Sequence, residues 1–212
     1  MIVCTGGTKG GSGKSTVATN LAIMRAMAGH DVLLVDADDQ ETSADFTALR
    51  TERLGGSAGY TCIKLTGPLV RTQVQRLAHK YDDIVIDVGG RDTSSQRASL
   101  VIADLLIVPF VPRSFDVWTM EKVAVLVAEM RTANPKLRAV CFINRADSRG
   151  QDNAETAEVL RETKGVEFIP LSLGSRKAFA NAAAAGLAVT EVKPVDAKAV
   201  EEMEALYGYV FG

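Results

Sequence analysis

Cysteine is scarce: Cys4, Cys62 and Cys141 are the three in 212 residues, an odd number with no C-x-x-C pair. That excludes a disulfide scaffold, offers no zinc or cluster motif, and points to a reducing compartment, the cytosol. Histidine is scarcer still, since His30 and His79 stand alone and neither has a neighbour with which to ligate a metal. No apolar run approaches the roughly 20 residues that a bilayer demands. The longest, such as 105–111, have strand length, and the N-terminus shows no charged region leading into an apolar one. The expectation is a chain that neither crosses a membrane nor is exported. Charge of one sign is absent too, with 24 Lys+Arg against 26 Asp+Glu and a net charge of −2. A uniformly basic surface is therefore excluded, and any nucleic-acid contact has to be local.

What is present suits one folded core. At 47% hydrophobic and 24% charged residues, the chain can bury a full interior, and no linker or repeat divides it, so residues 1–212 read as a single domain. Residues 1–5 form a short apolar run ending in glycines. Residues 15–28 then place Val17, Leu21, Met24 and Ala28 at helical spacing, closed by Gly29. Residues 31–36, 83–88, 105–111 and 138–144 are continuous apolar runs, as expected for strands buried on both faces. Helices are expected over 116–131 and 194–209, each with an apolar stripe, and across Ala182–Ala185. Strands alternating with helices predict an α/β fold, doubly wound, with a mostly parallel sheet flanked by helices.

The chemistry gathers where the first strand meets the first helix, in Gly6-Gly7-Thr8-Lys9-Gly10-Gly11-Ser12-Gly13-Lys14-Ser15-Thr16. A phosphate chain requires inward-facing amides, absent side chains, a helix N-terminus and a cation, and this segment supplies each. Lys14 would reach the β- and γ-phosphates, the Ser15 hydroxyl would ligate Mg²⁺, and Thr16 would lie near the α-phosphate. The strict G-x-x-x-x-G-K-[ST] pattern fails at Thr8. The pattern that fits carries an extra lysine, Lys9.

Through Lys9-Gly10-Gly11-Ser12-Gly13-Lys14-Ser15 the sequence resembles the deviant Walker A ATPases, the ParA, Soj and MinD group, which are P-loop NTPases. Asp36-Ala37-Asp38-Asp39-Gln40 resembles that group's D-x-D-P-Q switch, with Asp39 in place of proline. Residues 84–87 and 106–109 are similar to its following strands. Within the group the short ParF-like plasmid partition ATPases are the expected type, because the chain opens directly on its first strand and because 109–116 is similar to theirs. The resemblance implies ATP and ADP as ligands, Mg²⁺ as cofactor, and a homodimer enclosing two ATPs, with Lys9 reaching the partner subunit's nucleotide. It implies that Asp38 positions the attacking water, that Asp87 holds Mg²⁺ through a water, and that Asp36 supports Lys14 or the metal shell. A strand-terminal aspartate serves equally as an N-cap. Asn144, at the end of its strand, and Pro170, after the last strand, are the adenine candidates, although an asparagine there also suits a turn.

Arg145, Arg149, Arg176 and Lys177 fall in loops that a doubly wound topology brings to one side of the sheet. They are the candidates for non-specific DNA contact. The resemblance adds a small centromere-binding partition protein as partner, and a cytoplasmic location that becomes nucleoid-associated with ATP. Two alternatives are a P-loop small-molecule enzyme, amide ligase or kinase, and a MinD-like positioning ATPase. The acidic run around Glu201, Glu202 and Glu204 disfavours a membrane-binding helix at the C-terminus.

Overall fold

The computed structural model describes residues 1–112, 117–147 and 152–212, the side chains of Val117 and Trp118 excepted. Arg149 and the stretch 113–116 therefore lie outside the described residues. Seven strands form one sheet in the order β3-β2-β4-β1-β5-β6-β7. They are β1 (Ile2–Thr5), β2 (Val32–Ala37), β3 (Thr61–Lys64), β4 (Asp83–Val88), β5 (Leu105–Phe110), β6 (Arg138–Ala146) and β7 (Glu167–Gly174). Every pairing is parallel. The helices are α1 (Lys14–Met27), α2 (Thr42–Arg53), α3 (Leu69–Leu77), α4 (Ser94–Leu100), α5 (Val117–Ala133), α6 (Asp152–Glu162), α7 (Lys177–Ala184) and α8 (Ala197–Phe211).

Side chains alternate across each strand, so the sheet divides the interior into two faces. Cys4, Val35, Ile86, Leu106 and Cys141 pack one face against Val74 of α3, Leu100 of α4, Val123 and Val127 of α5 and Leu160 of α6. On the opposite face Val3, Ile107, Val140 and Phe142 meet Val17 and Leu21 of α1 and Met203 and Leu206 of α8. Ala18 and Ala22 of α1 sit on Val32, Leu34 and Val85, where short side chains let the helix lie close to the sheet. All six positions of β2, β4 and β5 are buried, which is why those segments read as apolar runs, interrupted only by Asp36, Asp83 and Asp87 near strand ends.

Three departures from the expected boundaries have a visible physical cause. The last helix starts at Ala197 rather than at 194, because the Asp196 side chain accepts the Ala199 amide at 3.1 Å and caps it. β6 continues past Asn144 to Ala146, with a register irregularity between those two residues and a left-handed Arg145 at φ 54°. Pro170 lies within β7, not after it, at a second irregularity opposite Cys141 and Ile143. A proline lacks the amide a ladder needs, so it is tolerated on this edge strand where the pairing is already broken.

Candidate nucleotide site

β1 stands between β4 and β5. The register sets Thr5 beside Asp87 and Asp87 beside Asp36, so three strands end level with one another. The loop after β1 opens there, at the carboxyl ends of a parallel sheet, where such folds bind ligands. Its last residue, Gly13, is left-handed at φ 94°, and a Cβ on it would collide with the Asn144 side-chain nitrogen. α1 then begins with no side-chain cap and no acid in its first turn. Its first amides are thus available to an anion, with the positive end of the helix dipole behind them. An open cleft of about 720 Å³ lies over this turn, lined by Gly13, Lys14, Thr16, Asp38, Arg91 and Arg145 among others.

The two lysines of the motif differ in setting. Lys14 is 6% exposed and donates from Nζ to the Lys9 carbonyl at 3.1 Å. Burial pulls its ammonium below the usual lysine range, while Asp87 and Asp38 act against that shift. Lys9 is exposed at the rim.

Each carboxylate has a distinct environment. Asp87 is fully buried and accepts from Ser43 Oγ at 2.7 Å and from Thr5 Oγ1 at 3.3 Å. Burial pushes its carboxyl up to about 6, against the opposing pull of the Ser43 and Ser15 hydroxyls. Asp36 accepts the Asp38 amide on Oδ1 at 3.1 Å and the Ala44 amide on Oδ2 at 2.8 Å. Both oxygens are engaged with backbone, so Asp36 anchors the switch loop and the start of α2 rather than presenting a free oxygen to a metal. Asp38 Oδ1 accepts the Gln40 amide at 3.2 Å, and the carboxylate lies on the cleft wall.

Sequence reasoning missed the residues that close the cleft from below. A Cβ on Gly89 would come 3.1 Å from Asp38 Oδ1, and one on Gly90 would lie 2.5 Å from the Gly10 nitrogen and 2.7 Å from the Lys9 carbonyl carbon. The buried Gln96, turned so that its nitrogen faces them, donates to Gly7 O at 3.1 Å and Arg91 O at 2.8 Å. The Gly-Gly pair right after an acidic strand was the available signal.

The remaining candidates are only partly assembled. Asn144 donates to the Ser12 carbonyl at 2.6 Å and accepts the Arg145 amide at 2.9 Å, so it braces the phosphate loop. Pro170 is not at the site, because Leu173, three residues further along β7, is the residue level with Asn144. Arg145 lines the nucleotide cleft instead of an outer surface. Arg176 is held by Glu202 at 2.6 Å and 3.0 Å, which neutralises it as a DNA contact. Lys177 is exposed at the start of α7.

No group of three or more His, Cys, Asp or Glu poised to hold a metal occurs among the described residues. A hydroxyl and a single carboxylate beside a phosphate cradle do fit Mg²⁺, which keeps much of its water and binds through phosphates. Among the described residues no helix is long and apolar enough to cross a membrane.

Fold and site define the class, a P-loop nucleotide-binding protein. A family model described as the CobQ/CobB/MinD/ParA nucleotide binding domain matches residues 3–189, and the chain belongs to that family. It is 24% identical over 203 residues to maintenance of carboxysome distribution protein A of Halothiobacillus neapolitanus, covering 95% of this chain and 92% of that protein. The fold is that of Cyanothece McdA in its complex with ATP, at a TM-score of 0.82 and 17% identity over 99% and 95% of the two chains. A plasmid partition protein from Borrelia burgdorferi B31 bound to AMPPNP gives 0.76 and 20%, over 99% of each chain.

Proposed function

We propose that this chain is a Mg²⁺-dependent ATPase that dimerises around ATP and distributes a cargo along DNA. The observation that carries this reading is one cleft lined by an uncapped helix start, Lys14 and Asp38, with Asp87 buried at the end of the adjoining strand and Lys9 exposed on the same loop. The α1 amides and Lys14 would bind the phosphate chain. The Ser15 hydroxyl and Asp87 would hold Mg²⁺, which supplies charge neutralisation on the β- and γ-oxygens. Asp38, on the cleft wall, would orient the attacking water. Lys9 would complete the charge on the partner subunit's nucleotide, an interaction available only when two chains meet.

The names of the relatives support partition or positioning as the task, with a cargo-bound partner protein and non-specific DNA as the other two components. The site of action would be the cytoplasm, at the nucleoid when ATP is bound. The test pairs two variants in light scattering and phosphate release. Lys9→Ala should bind ATP and stay monomeric, whereas Asp38→Ala should dimerise and then stall. Normal dimerisation and turnover by Lys9→Ala would overturn the reading.

A further inference from the structure

We propose that the outer face of α3, with Arg71, Arg76 and Lys80, is the surface on which this chain meets the phosphate backbone of duplex DNA. The inference rests on the reading above, that the ATP-bound dimer binds DNA, and adds the place.

Residues 53–81 hold Arg53, Lys64, Arg71, Arg76 and Lys80 and not one aspartate or glutamate, in a chain whose net charge is −2. The fold turns that asymmetry outward. α3 buries Val70 and Val74 toward the sheet, so its other side, with Arg71, Thr72, Gln75, Arg76 and the His79 and Lys80 that follow it, is exposed. Several other cations are tied to acids: Arg25 to Asp83, Arg50 to Glu191, Lys64 to Glu41, Arg97 to Asp92 and Arg176 to Glu202. Arg71, Arg76 and Lys80 take part in none of the ion pairs among the described residues.

Asp82 and Asp83, just after Lys80, face His30 and Arg25, and cations with no acid of their own among them are what counterion release requires. Arg71 and Arg76 are about 7.5 Å apart along the helix axis, a span over which duplex DNA presents several phosphates. Gln73, Gln75 and His79 line a shallow notch with Arg76 and Lys80. They add hydrogen-bond donors of the kind that contact phosphate and sugar without reading sequence. An anionic membrane is the weaker match, since the one large apolar side chain exposed on α3 is Leu69 and interfacial helices insert several.

Lys64 pairs in register with Asp36 at the nucleotide end of the sheet, and Asp83 begins β4 at the far end. α3 runs between them, so Arg76 and Lys80 lie away from the phosphate loop. ATP would therefore act on DNA binding by joining two such patches in one dimer, which raises avidity without altering either patch.

The experiment is fluorescence anisotropy of a labelled random-sequence duplex with the full chain, ADP or Mg-ATP, over a series of salt concentrations. Arg71→Ala, Arg76→Ala and Lys80→Ala should each dimerise with ATP like the wild type. Each should lose about eightfold in affinity per chain at 0.1 M salt, or about 60-fold for a dimer that uses both patches, and the log–log salt slope should shrink by about one unit per chain. A cation that only steadies the end of α3 would leave that slope unmoved. Lys177→Ala is the control and should match the wild type. Variants binding as tightly as a wild type that does bind DNA with ATP would overturn the assignment of α3 and leave the ATPase reading intact. A wild type with no DNA binding in either nucleotide state would overturn both. Loss of binding to phosphatidylglycerol vesicles, with DNA binding unchanged, would overturn the assignment in favour of a lipid surface.

Discussion

Gly90 and Gly10 meet backbone to backbone, with room for no atom between them: a Cβ on Gly90 would stand 2.5 Å from the Gly10 nitrogen and 2.6 Å from its Cα. The loop that follows the acidic strand β4 is therefore the floor on which the lysine-bearing loop rests. Gly90→Ala should displace Lys9 and Gly10 and weaken ATP binding by at least about tenfold, since a shift of order 1 Å in a positioning group has effects of that size or larger. Titration with a fluorescent ATP analogue measures it. Wild-type affinity would mean that the contact does not hold the loop.

Asp87 makes the ligand-free site a source of instability. Its carboxyl is raised to about 6 in the folded chain from an ordinary value of 3.8, so the folded state holds the proton more tightly than the unfolded one. The stability associated with that proton is complete below about pH 4 and is lost as pH rises through 6. Asp87→Asn should then stabilise the nucleotide-free protein above pH 6 by up to roughly 3 kcal/mol and flatten this part of the pH profile. The same variant should bind Mg-ATP more weakly. Thermal unfolding at pH 5 and pH 8, without nucleotide, decides the point; a variant less stable than wild type at pH 8 contradicts it.

Arg50 joins α2 to the segment before α8. It donates to the Ala58 carbonyl at 2.7 Å, to the Gly186 carbonyl at 3.1 Å, and to both oxygens of Glu191 at 2.7 Å and 3.0 Å. Its side chain is 5% exposed. Arg50→Ala leaves Glu191 with the Ala188 amide but no cation, removes the guanidinium from two carbonyls, and should cost about 3–5 kcal/mol, read from the shift in the urea midpoint. Arg50→Met with Glu191→Gln should recover part of that loss by removing the stranded charge. A single variant within about 0.5 kcal/mol of wild type would show that water replaces the guanidinium.

The legible parts of the fold were those that burial writes in one-dimensional form. β2, β4 and β5 are enclosed on both faces and so are apolar throughout, Asp36, Asp83 and Asp87 near strand ends excepted. β3 is four residues long and half-exposed, and β7 is interrupted by Pro170, so neither produces such a run. α2 escaped for a different reason. Its buried positions are Ser43, Thr47 and Arg50, polar side chains satisfied by Asp87, Tyr60 and Glu191, and polar burial leaves no apolar stripe to read.

In the site, the phosphate loop was readable because its glycines and lysines are adjacent in sequence. Gly90 owes its importance to a neighbour 80 positions away, and the charge of Arg176 is matched by Glu202 on another helix. Asp36 looked like its neighbour Asp38 in sequence. Only the amides of Asp38 and Ala44 distinguish an anchoring carboxylate from one that faces the cleft.

The two outer strands bear on how copies of this chain could stack. A bare strand edge invites another strand, and proteins guard against it with short strands, charge, bulges or proline. β3 is only four residues long and ends on Lys64. On the other margin, β7 carries Pro170 beside a break in its register. Neither margin offers a continuous row of donors and acceptors, so growth of the sheet from one molecule into the next is blocked at both sides. A higher-order array is thus expected to use helix faces and loops and not a shared backbone ladder of the amyloid kind.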